Sequence, residues 1–165
     1  MKTNIALIIL LAFIASGCGY SSKSLYRSDI QTVCLEMFGS NSFDREVEFE
    51  LTAALGKKIE LLTPYKVVAD RSSADSIIYG KVKSVEGRIL SQQRDLDRPI
   101  QEEVKVVVEV TWKALRGKAG VLIDGQDYSF HGDQNDMVGI SRNGAISQAV
   151  DKLSDEIVVS MTKDW

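Results

Sequence analysis

His131, the chain's only histidine, opens the run His131-Gly132-Asp133-Gln134-Asn135-Asp136, where an imidazole, two carboxylates and side-chain amides stand close together. Such a set could ligate a metal. The spacing matches no EF-hand loop, however, and one His without further His or Cys is a poor zinc set. His131 to Asn135 therefore reads as a solvated loop, and no metal or other cofactor is expected. The second reactive side chain is Cys34, in the apolar run Thr32-Val33-Cys34-Leu35. A thiol there is expected to be buried and inert. A nucleophilic Cys would need a base beside it, and nothing in the sequence links Cys34 to the distant His131. There is no G-x-S-x-G, no CxxC, no P-loop and no H-E-x-x-H. With no catalytic constellation, the expected role is binding or assembly, not an enzyme.

Cys18 carries a different chemistry. It follows Lys2, an unbroken apolar run from Ile5 to Ile14, and the small residues Ala15-Ser16-Gly17. The apolar run is too short for a transmembrane helix, which needs about 20 residues, but suits the hydrophobic region of a secretory signal. The small residues before Cys18 resemble the lipobox of bacterial lipoproteins, with Ala15 standing where Leu is conventional. The resemblance implies cleavage after Gly17, leaving residues 1–17 as signal peptide, and lipidation of Cys18. One acyl chain gives only marginal membrane binding, so three chains would make the anchor permanent. Gly19, in place of an Asp, implies export to the outer membrane. Lipidation consumes the Cys18 sulfur, so Cys34 has no disulfide partner.

The elements that would position these groups follow from hydropathy. The 165 residues leave room for one domain beyond the signal, and a net charge of -3 argues against a nucleic-acid binder. A polar tether, residues 18–27, leads into a domain spanning 28–165. Ile30 to Phe38 is apolar on both faces and reads as a central strand, followed by a turn at Gly39-Ser40-Asn41-Ser42. Asp44 to Leu62 carries Val47, Leu51, Ala54, Leu55, Ile59 and Leu62 at helical spacing, and Pro64 ends it. Tyr65 to Ala69 is a short strand, so the strand–helix–strand order predicts a parallel pair.

Ser76 to Ser91 reads as a long strand with a bulge or bend at Gly87. Gln92 to Gln101 reads as a hairpin loop. Glu102 to Leu115 alternates strictly, with Val104, Val106, Val108, Val110 and Trp112 on one face. Val121 to Phe130 is an edge-strand candidate whose pairing stays open. Ser141 to Met161 is a second amphipathic helix, with Ile146, Ala149, Val150, Leu153, Ile157 and Met161 in one stripe. The expected fold is α+β, a two-layer sandwich of two amphipathic helices on a mixed, mostly antiparallel four- or five-stranded sheet.

Three segments carry a family resemblance: Phe43 to Leu55, Thr63-Pro64-Tyr65-Lys66-Val67-Val68, and Ala74-Asp75-Ser76-Ile77-Ile78-Tyr79-Gly80. Together with Cys18, the strand at Ile30 to Phe38 and the strand ending Val110-Thr111-Trp112, they resemble the lipopolysaccharide-assembly lipoproteins (LptE-like). The resemblance implies a non-enzymatic outer-membrane lipoprotein, anchored on the periplasmic side. It would partner and plug a β-barrel translocon and help deliver lipopolysaccharide. The alternatives are another lipoprotein adapter, such as a pilotin-like chaperone of a secretion channel, or an unrecognised periplasmic hydrolase built on His131. If the two long strands pair, Ile78, Val82, Val104, Val106 and Val108 face the core. Lys81, Lys83, Lys105 and Lys113 then share the outer face with Glu103 and Glu109. Lys81, Lys83 and Lys105, with Arg94 and Arg98 in the hairpin loop, are the candidate contacts for lipopolysaccharide phosphates and sugar carboxylates. The plainer alternative is a solvated face on which Lys protects an edge.

Overall fold

The computed structural model describes residues 25–40, 45–93, 98–117, 120–135, 139 and 141–162. Cys18, the signal peptide and Arg94 lie outside them. The elements run β1 (Thr32–Leu35), β2 (Gly39–Ser40), α1 (Arg45–Leu62), β3 (Lys66–Val68), β4 (Ser76–Gln93), β5 (Arg98–Ala114), β6 (Val121–Asn135) and α2 (Arg142–Ser160). One sheet has the order β3-β1-β4-β5-β6, with the two-residue β2 beside β4. Its first part is parallel and the β4–β5–β6 meander antiparallel. The α+β sandwich expected from the sequence is what the chain forms. The parallel pair expected across the first helix is β1 with β3.

Alternation decides which residues enter the core. Val104, Val106, Val108, Val110 and Trp112 of β5 and Ile78 and Val82 of β4 are all buried under the helices. From α1 come Val47, Leu51, Leu55 and Ile59; from α2 come Ala145, Ile146, Ala149, Val150, Leu153, Ile157 and Val158. The Trp112 indole N–H donates to Ser76 Oγ at 3.0 Å, and its ring lies 5.9 Å from that of Tyr65. A small second cluster of Cys34, Ala74 and Ile77 covers one end of the opposite sheet face. β1 is thus buried on both sides, with Val33 toward one cluster and Cys34 toward the other. Burial, first of all, pushes the Cys34 thiol pKa up, in keeping with an inert thiol.

Asp75 ties β1 to the start of β4. Its carboxylate accepts from the N–H groups of Gln31 and Thr32, each at 3.0 Å, and from the Thr32 hydroxyl at 2.9 Å. The Thr32 hydroxyl in turn accepts from the Asp75 N–H at 2.9 Å. On the far side of the fold, Ser141 caps α2, its Oγ accepting from the Gly144 N–H at 3.2 Å. The two helices run side by side in the same direction. Their first turns together line a groove through Glu46, Glu50, Arg142 and Ile146. Further along, Lys58 of α1 bridges Asp151 and Asp155 of α2 at 2.7 and 2.6 Å.

Several expectations need correction. The first strand is shorter than Ile30–Phe38: the chain leaves the ladder after Leu35, Met37 is 57% exposed, and Phe38 turns back into the core. Gly39-Ser40 is a short parallel strand against Lys81-Val82, not a turn. Leu62 ends α1 exposed instead of closing its stripe. The long hairpin keeps its ladder out to Gln93 and resumes it at Arg98, so most of the expected loop at Gln92 to Gln101 is strand. No register shift occurs at Gly87, which pairs opposite Val104. The shift nearest the core falls between Val82 and Ser84, leaving Lys83 as the extra residue. Finally, His131 to Asn135 continues β6 instead of looping. Beyond Lys83 the parity of β4 inverts, so Val85 and Gly87 lie on the core side, and Ser84 and Glu86 on the outer side.

Candidate functional site: the uncovered sheet face

Both helices cover one face of the sheet and leave most of the other uncovered. Register places Lys81, Ser84, Glu86 and Arg88 of β4 opposite Glu109, Val107, Lys105 and Glu103 of β5. From β6, Asp127, Ser129, His131 and Asp133 join the same rows. The outer face is therefore lined by charged side chains, as the alternation of β5 predicted, with Lys81, Lys83, Lys105, Lys113, Glu103 and Glu109 all on it.

Its charge balance differs from that read off two strands alone. Lys81 Nζ lies 3.4 Å from Glu109, and Lys83 Nζ reaches the same carboxylate at 3.7 Å. The bulge brings Lys83 across to Asp127 of the edge strand, with contacts of 2.9 and 3.1 Å. That hydrogen bond is the main reason the Lys83 pKa is raised, with the neighbouring carboxylates adding to it. Across the same face, His131 Nδ1 sits 3.3 Å from Glu103 Oε1. Lys105 stands between Glu86 and His131 in register and forms no ion pair with a described residue. Arg98 opens β5 opposite Gln93. The local cationic surplus is thus met by Glu86, Asp127 and Asp133.

Asp127 is the residue that sequence reasoning missed, because the pairing of its strand was open. A signal existed: Asp127, Ser129, His131 and Asp133 alternate with Tyr128, Phe130 and Gly132, a period of two that runs through the presumed loop.

His131 also borders a groove of about 570 Å³ at the sheet edge, lined by Phe130, Asp133, Ser147, Gln148, Asp151 and Lys152. No hydrogen bond joins His131 to Ser147, so the groove lacks the nucleophile–base contact that acyl-transfer chemistry uses. Among the described residues, no group of three or more His, Cys, Asp or Glu could hold a metal ion. Nor is any described helix long and apolar enough to cross a membrane.

Solved structures with a similar fold are known. Rare lipoprotein B from Shewanella oneidensis is similar with a TM-score of 0.52 and 19% identity, over 79% of this chain and 93% of that one. Lipoprotein B from Nitrosomonas europaea is similar at TM-score 0.52 and 14% identity, over 79% and 81%. Protein XCC0632 from Xanthomonas campestris follows at 0.53 and 7%, over 84% and 85%. At these identities the likeness concerns the fold. No curated protein sequence matches the chain significantly. The family model for LptE, described as lipopolysaccharide-assembly, matches residues 30–161, from two residues before β1 to the cap of α2. That span takes in every described strand and both helices, and the chain belongs to the LptE lipopolysaccharide-assembly family.

Proposed function

We propose that the protein is a non-enzymatic lipoprotein of the outer membrane, held on its periplasmic side through Cys18. In that position it partners and plugs a β-barrel translocon and assists lipopolysaccharide assembly. Membership of the LptE family carries this reading. The shape of the domain supports it: a rigid sheet presents one uncovered face lined by charges of both signs, and the interiors of outer-membrane barrels are polar. A plug with that face toward the lumen keeps its charged rows hydrated or paired, while the apolar core stays under its own helices.

Lys81, Lys83 and Lys105, together with Arg94 and Arg98, are the proposed contacts for lipopolysaccharide phosphates. Lys81 and Lys83 already hold carboxylates, so an incoming phosphate would exchange with Glu109 and Asp127. Lys105 would meet it directly.

Affinity purification of the tagged, lipidated protein from detergent-solubilised outer membrane tests the partnership. The expected result is one outer-membrane barrel in near-stoichiometric yield, with lipopolysaccharide. Recovery of a secretion-channel ring in its place would transfer the protein to the adapter class. The Cys18→Ser form, fractionated with and without the barrel, separates retention by lipid from retention by the partner.

A further inference from the structure

Four exposed apolar side chains collect at one end of the helix layer. Leu61 and Leu62, 73% and 48% exposed, close α1, and Val159, 66% exposed, lies in the last turn of α2. Because the helices run in the same direction, these last turns are neighbours: Lys58 grips Asp155 one turn before Leu62 and Val159. Leu25, 51% exposed, joins them, since the adjacent Tyr26 hydroxyl donates to the Leu62 carbonyl at 2.9 Å. Single exposed leucines are ordinary on a protein surface, but a cluster at one pole calls for something that covers it.

The chain leading into the domain identifies the cover. Leu25 lies seven residues after Cys18, and an extended chain spans at most about 3.6 Å per residue, or roughly 25 Å in all. Acyl chains on Cys18 would sit in the bilayer, so the pole bearing Leu25 is held within that distance of it. Phe49 and Met37, the exposed apolar residues toward the other end of α1, are farther from the anchor by up to the length of the helix, about 27 Å for its 18 residues. We infer that Leu25, Leu61, Leu62 and Val159 form a second membrane contact, a shallow apolar foot resting on the phospholipid leaflet that holds the anchor. The β4–β5 hairpin lies at the opposite end of the sheet from this pole. The inference rests on the proposed acylation of Cys18.

A test places a polarity-sensitive fluorophore at Leu61→Cys or, as a control on the hairpin, at Leu90→Cys; Cys34 is buried and stays unlabelled. The lipidated protein is reconstituted in phosphatidylethanolamine–phosphatidylglycerol vesicles containing a nitroxide-labelled lipid. The expected result is loss of emission at position 61 and none at position 90. In the Cys18→Ser background, the unlabelled protein should float weakly with the same vesicles, and Leu25→Ser/Leu61→Ser/Val159→Ser should abolish that flotation without lowering the melting temperature. Equal emission at the two positions, or flotation unchanged by the triple substitution, would overturn the foot. So would shielding of position 61 that appears only when a barrel is present, since the patch would then be a protein contact. Mass spectrometry of the cellular protein reports acylation separately. An unacylated Cys18 would remove the anchor, while vesicle quenching in the Cys18→Ser background would still decide the foot.

Discussion

Trp112 joins the two halves of the sheet at the level of one side chain. It stands opposite Ile78 on β4 and Ile123 on β6, packs against Tyr65, and spends its single donor on buried Ser76. Truncation to Ala removes a large buried ring and leaves a cavity, which typically costs about 3–5 kcal/mol. A chemical-denaturation midpoint for Trp112→Ala should fall accordingly, and an unchanged midpoint would contradict the packing. Asp75 sets a pH dependence. Its pKa is lowered chiefly by the Gln31 N–H, then by the hydroxyl and N–H of Thr32. A carboxylate whose folded pKa is depressed adds stability above its unfolded value, here 3.8, and loses that advantage as pH falls through the lower folded value. Asp75→Asn should therefore unfold more easily than the parent at neutral pH, with the two melting temperatures converging in acid. A constant gap across the acid range would show that the clamp does not depend on charge.

Among the elements, α2 and β6 come into close contact at Gly132. A Cβ there would fall on the Ala145 carbonyl in the first turn of α2, so Gly132→Ala must push the helix off the strand. Overpacking of this kind typically costs about 1–3 kcal/mol, and the loss should appear as a lower melting temperature. This contact also explains what could and could not be read from the residues. Helical spacing from Val47 to Ile59 and from Ile146 to Ile157, and the valine alternation of β5, report directly on burial, so those elements were legible. Gly132 has no side chain to contribute to an alternation, and the polar run around it looks like a loop until β5 supplies its ladder partner. The bulge at Lys83 was equally hidden. Gly87 offered the obvious glycine signal, yet the inserted residue is a lysine whose long side chain reaches Asp127. The candidate site was half legible: β5 assigned its face, but the carboxylates that balance its lysines come from β6 and from the inverted stretch of β4, and both depend on pairing.

At the scale of the whole molecule, the uncovered face is nearly balanced in sign, so weakening it should change ligand affinity more than folding. Changing Lys81, Lys83 and Lys105 together to Gln is expected to weaken lipopolysaccharide binding in a salt-sensitive way, while barrel co-purification and thermal stability stay close to the parent. Unchanged binding by a folded triple variant would return the face to a solvated surface. The position of β1 bears on the order in which the chain becomes structured. The β4–β5–β6 meander joins strands adjacent in sequence, so it closes short loops. β1, nearest the N-terminus, must wait for partners beginning at Lys66 and Ser76 and then slot between them. Contacts that close longer loops form at a greater entropic cost. The first strand of the sheet is therefore expected to dock late, once the strands on either side of it are in place.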